Sequence, residues 1–157
     1  MKTRLRTRCL LKYRNRGKGL DIINDEKLRM RTLLFILVSF VAITSLISGL
    51  LIITYPDGSV MQMSTDLLKT SPFKDFLIPG IVLTVLVGGT NLLAAFFNMK
   101  RSAYRYDWAL AGGVMICGWT IVQMILINMF FWLQFVYLGV GIVIMLIAYQ
   151  LKGKALI

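Results

Sequence analysis

Histidine is absent from this chain of 157 residues. Without imidazole there can be no Ser-His-Asp hydrolase, no His-ligated haem and no HExxH zinc site. Cysteine occurs twice, as Cys9 in a basic N-terminal stretch and Cys117 inside an apolar run. That separation supports neither an intrachain disulfide nor a CxxC redox pair, and Cys117 reads as a small interior residue. Acidic residues number only seven. None lies near the centre of an apolar run, which argues against a proton-coupled pump or ion-coupled transporter, since such machines keep an ionisable group in the bilayer. Gly88-Gly89 and Gly112-Gly113 are embedded in apolar sequence, so no glycine-rich phosphate loop is present. The chain is therefore expected to be no enzyme, to need no cofactor and to bind no metal.

What the sequence does contain is apolar length. Hydrophobic residues make up 57% and charged residues 16%, where soluble domains carry about a quarter charged. Four runs, at about 33–54, 76–98, 108–130 and 132–150, each approach the ~20 residues that a helix needs to cross a bilayer. Tyr55, Tyr104, Tyr106, Trp108, Trp132 and Tyr149 fall at their ends, where amphipathic rings prefer the headgroup layer. The expected fold is all-α: an integral membrane, antiparallel four-helix bundle at 33–151, a basic N-terminal tail at 1–32, a short C-terminus at 152–157 and a structured loop between spans 1 and 2.

Orientation follows from the basic residues, which resist translocation. Of the 18 Lys and Arg, eleven precede Leu33, three lie in the segment from Met99 to Asp107 and two follow Leu151. Only Lys69 and Lys74 fall between the first two spans. Both termini are thus expected in the cytoplasm. The dense block from Lys2 to Lys18 reads as a topology determinant that also touches anionic lipid headgroups. Contact with nucleic acid is not expected, because no nucleic-acid-binding motif accompanies the charge. A start of translation at Met30 is the alternative account of this stretch. The leader is expected to be retained, since the run to Thr54 is too long for a secretory signal.

Inside the spans the polarity is neutral. Thr84, Gly88, Asn91, Ala95 and Asn98 recur at spacings of four and three, which places small and polar groups on one helical stripe. That stripe should face protein, because small residues let helices approach and amides facing lipid lack partners. Gly112, Met115, Trp119 and Gln123 share a face of the third span, and Gly113 adds a second small residue. At about 1.5 Å per residue, Trp119 comes level with Gly88 and Gln123 with Thr84. Trp119 is therefore expected to pack over Gly88. Helix packing is assigned to Gly88, Ala95, Gly112 and Gly113, and a candidate ligand-binding set is Asn91, Trp119, Gln123 and Thr84.

The segment between the first two spans carries its own punctuation. Tyr55-Pro56-Asp57-Gly58 reads as a turn. Ser71 before Pro72 reads as an N-cap opening a helix that runs into the membrane, kinked at Pro79-Gly80. Ser71, Pro72, Phe73, Asp75, Pro79 and Gly80 belong to a stretch, Ser71 to Gly80, that resembles the SPFxDFLIPG segment of small, uncharacterised four-span bacterial membrane proteins. Trp119, Val122, Gln123, Trp132, Leu133, Gln134 and Tyr137 are similar to other recurring positions of that group. The resemblance covers about 33–151 and implies architecture and a bacterial plasma-membrane setting, but no reaction. Asp75 then reads as a first-turn carboxylate favoured by the helix dipole, as a partner of Lys69 or Lys74, or as a contact for an external partner.

Two function classes remain. One is a non-enzymatic interaction or accessory protein, forming a homo-oligomer or joining a larger membrane complex through Ser45/Gly49 and Ala109/Gly113. The alternative is a protein that binds or translocates lipid or a small molecule in a pocket between spans 2 and 3, under the outer loop. The topology is directly testable: a reporter fused after Ile157 should be active only in the cytoplasm, and activity only outside it would reverse the assignment.

Overall fold

The computed structural model describes residues 2–59, 75–127 and 132–153, with side chains from Asn24 onward except those of residues 126 and 127. The described residues are all α: α1 (Lys2–Thr54), α2 (Leu77–Val82), a π-helical turn (Leu83–Gly88), α3 (Gly89–Met99), α4 (Arg105–Ile127) and α5 (Trp132–Gly153). Since α2, the π turn and α3 run on without a break, four helices are long and apolar enough to cross a membrane: Asn24–Thr54, Leu77–Met99, Arg105–Ile125 and Trp132–Gly153. The chain divides into two compact units, Met1–Leu33 and Leu34–Ile157. In the first, the residues expected as a tail are helical, although Gly17 and Gly19 disfavour that conformation.

In the larger unit α1 buries Leu34, Val38, Val41, Ala42 and Ser45, an i, i+3, i+4 pattern that defines one packed face. Its opposite face exposes Ile36, Phe40, Ile43, Ile47 and Leu50, each more than half accessible. Water would penalise so much contiguous apolar surface, whereas hydrocarbon would not. α4 packs on both α3 and α5, with Ala109 and Ile116 buried on one helix and Ile144, Ala148 and Leu151 on the other.

Both described ends of the loop between the first two spans are tied together. Tyr55 to Gly58 form the expected turn, closed by the Gly58 amide donating to the Tyr55 carbonyl at 3.1 Å. Gly58 has φ 76°, which is why glycine suits the position. The Phe76 amide donates to the Pro56 carbonyl at 3.0 Å, and the Phe76 ring packs with Ile52 and Leu83.

This closure changes the expected start of the second span. The helix does not run unbroken through Asp75 and Phe76: both are bends, and α2 begins at Leu77. The Asp75 carboxylate accepts the Leu77 amide at 3.1 Å, while the Phe76 amide is used across the loop, so neither residue continues a helical turn. The capping assigned to Ser71 and Pro72, like the motif residue Phe73, lies outside the described residues. Nor does Pro79 interrupt the helix. It is the third residue of α2, where an amide would have had no intrahelical partner.

Between α3 and α4 the chain turns through a Schellman motif. The Ser102 amide donates to the Phe97 carbonyl at 3.1 Å and the Arg101 amide to the Asn98 carbonyl at 3.2 Å. Arg101 stands where glycine is usual, at φ 51°. Left-handed backbone costs a side-chain-bearing residue about 1–2 kcal/mol. Arg101→Gly is therefore expected to raise stability by about 1 kcal/mol, read as a higher midpoint of thermal unfolding in detergent.

Candidate functional site

The second span meets two neighbours, and its small residues are divided between them. A β-carbon at Gly80 would lie 2.8 Å from Ile52 Cγ2, and one at Gly88 would lie 2.9 Å from Leu46 Cδ2. Between them, a β-carbon at Gly49 would collide with Thr84 Oγ1. Contacts thus advance by four residues along the second span and by three along α1, in antiparallel order. Steps of four overshoot a 3.6-residue turn, and the wider π turn between Leu83 and Gly88 takes up that excess. Thr84 is satisfied within its own helix, its hydroxyl donating to the Gly80 carbonyl at 2.8 Å.

Three residues after Gly88 the contact passes to α4. Asn91 is fully buried, and its Nδ2 donates to the Val87 carbonyl at 2.9 Å and to the Gly112 carbonyl at 3.3 Å. Two carbonyl acceptors determine which end of the amide is nitrogen. Asn91 Oδ1 has no hydrogen-bond donor. It lies 2.6 Å from where a Gly112 β-carbon would stand. Ala95 is buried and Asn98 half-buried, with its Nδ2 unpartnered.

The expected single stripe against the third span is therefore corrected. Thr84 and Gly88 face α1, while Asn91 faces α4, because the π turn breaks the regular spacing from which one face was read. The expected Trp119–Gly88 contact gives way to Leu46: all three atoms nearest a Gly88 β-carbon belong to that residue. The α4–α5 seam is also close. Gly113 and Gly141 oppose each other, each β-carbon position lying 3.0 or 3.2 Å from the other residue's carbonyl oxygen. Gly141 was not singled out in the sequence, since a lone glycine in an apolar run carries no signal of what it faces. Ser45, Gly49, Ala109 and Gly113, read as surfaces for association, are all buried within this unit.

Beside Gly88, the second span and α4 leave a groove of about 440 Å³. Ile78, Pro79, Val82, Leu86 and Val87 form one wall, and Val114, Met115, Gly118, Trp119 and Val122 the other. Its size falls within the ~300–1,000 Å³ of small-molecule sites, but its lining is almost wholly apolar. Of the four candidate ligand residues only Trp119 lines it. Asn91 and Thr84 have their donors occupied by carbonyls, and Gln123 is half-buried outside the groove. Trp119 is half-buried and its Nε1 is enclosed without an acceptor. Among the described residues no cluster of His, Cys, Asp or Glu could hold a metal ion.

No family model matches this chain, and searches of curated proteins and of solved structures find no relative.

Two glycine substitutions separate the packed from the open positions. Gly112→Ala should destabilise the fold by about 1–3 kcal/mol through overpacking against Asn91. Gly89→Ala meets nothing within 4 Å and should be neutral or stabilising by up to about 1 kcal/mol. Thermal unfolding in one detergent measures both.

Proposed function

We infer that this chain is a non-enzymatic, multi-pass membrane protein that holds an apolar chain, a lipid acyl tail, in the groove between its second and third spans. The observation that carries this reading is the groove itself: ten residues from two helices line an open apolar space of ligand size next to a π turn. π turns recur at functional sites. Hydrocarbon is the occupant because the lining supplies almost no polar surface to orient anything else, and because a bilayer presents acyl chains to every apolar recess. Trp119 adds a broad aromatic wall against which such a chain can pack.

The distribution of Lys and Arg supports cytoplasmic termini, which would place the groove towards the outer leaflet. The Ser71-to-Gly80 segment, with its resemblance to small four-span bacterial proteins, supports a setting in the bacterial plasma membrane. A second reading, association with another helix or a second copy, draws on Gly89, Gly118 and Gly139. Each would place a β-carbon with nothing inside 4 Å, so a partner backbone could approach there.

Gly118 provides the test, because it lines the groove and has room for a side chain. Gly118→Leu should leave the thermal midpoint near that of the parent while removing lipid that copurifies in mild detergent, as read by native mass spectrometry. Undiminished lipid in a folded variant would reject the groove, and loss of a crosslinked oligomer instead would favour association.

A further inference from the structure

The groove leaves unexplained a second group of polar atoms, at the turn between α3 and α4. Asn98 Nδ2 and Arg105 Nε are both enclosed, and neither meets an acceptor among the described residues. The two flank one short turn, Asn98 near the end of α3 and Arg105 at the start of α4: the Ser102 amide is bonded to the Phe97 carbonyl, and the Ser102 carbonyl accepts the Arg105 amide at 3.3 Å. Phe97 and Trp108 stack across its base, ring centroids 5.8 Å apart. Arg105 is held in place, with Cζ 4.6 Å from the centre of the buried Tyr106 ring.

Both orphaned atoms are donors. A guanidinium cannot escape by losing its proton, and an enclosed donor without a partner costs more than an exposed one. The turn also carries Lys100 and Arg101, both exposed. The nearby carboxylate, Asp107, pairs with Lys152 of α5. Cations and donors are thus in excess, and an anionic acceptor is what the turn lacks. A turn joining two membrane-length helices lies at headgroup depth, where phosphate oxygens are abundant.

The geometry points to a phosphate-binding site at this turn, with Arg105 and Asn98 donating to the phosphate oxygens and Lys100 and Arg101 supplying attraction at longer range. The site rests on the chain being embedded in a membrane and is independent of the groove. The phosphate could belong to an anionic phospholipid or be free in solution, and the two sources are separable by experiment.

Full-length protein in detergent would be titrated with inorganic phosphate while thermal unfolding is followed. The same protein in nanodiscs of phosphatidylcholine, with or without phosphatidylglycerol, would be examined by native mass spectrometry for retained lipid. Stabilisation by inorganic phosphate identifies a soluble anion, and selective retention of phosphatidylglycerol identifies a lipid headgroup. Either supports the site. Arg105→Lys keeps the charge but loses the guanidinium fork, and should weaken whichever ligand binds about tenfold. Asn98→Leu should also weaken it, whereas Lys100→Gln should have the smaller effect of a distant charge. Absence of both responses in the parent protein overturns the proposal without reference to any variant. So does parental binding in both folded Arg105→Lys and Asn98→Leu.

Discussion

The side-chain amide of Asn91 joins the second span to the third. Its nitrogen reaches one carbonyl in its own helix, on Val87, and one across the interface, on Gly112. In an apolar surrounding a polar group must find its partners inside the protein. Asn91 does so only because Gly112 has no side chain, and a β-carbon there would stand 2.6 Å from Asn91 Oδ1. The close approach of these helices and the satisfaction of the buried amide are therefore one requirement, met by a pair of residues that cannot change independently.

The π turn from Leu83 to Gly88 gives that pair its position. By taking up an extra fraction of a residue, it lets Gly80, Thr84 and Gly88 stay against α1 while Asn91 reaches α4. The second span consequently serves as the link between the first and third. The same offset leaves Leu86 and Val87 beside Trp119, where a groove opens instead of a packed seam. Packing and groove thus share a cause in the local geometry of one helix.

At the end of this span the chain reverses through a turn whose charge is unbalanced. Arg101 accepts a left-handed backbone that glycine would adopt more easily, and half-buried Arg105 keeps an enclosed Nε donor unused. In the proposed reading the cationic turn meets phosphate and the apolar groove meets acyl chains. They lie on different parts of the same pair of helices and do not depend on one another.

Apolar run length and neutral polarity made the four membrane-length helices of the described residues legible in the sequence, because each segment must satisfy its own backbone and bury its own length. The turn at Tyr55 to Gly58 was legible for a similar reason: Pro56 and Gly58 act through local backbone preference. The partners of Gly88 and Trp119 were not legible, since a periodic stripe presumes a uniform 3.6-residue turn and nothing in Leu83 to Gly88 announces a π turn. Gly141 was silent for want of a pattern. Sequence by itself determined which residues could enter apolar surroundings, because that depends on composition over a short window. Tertiary structure alone decided which helix each small residue faces and which donors stay unpaired, because those depend on rotations of a fraction of a turn that only packing sets.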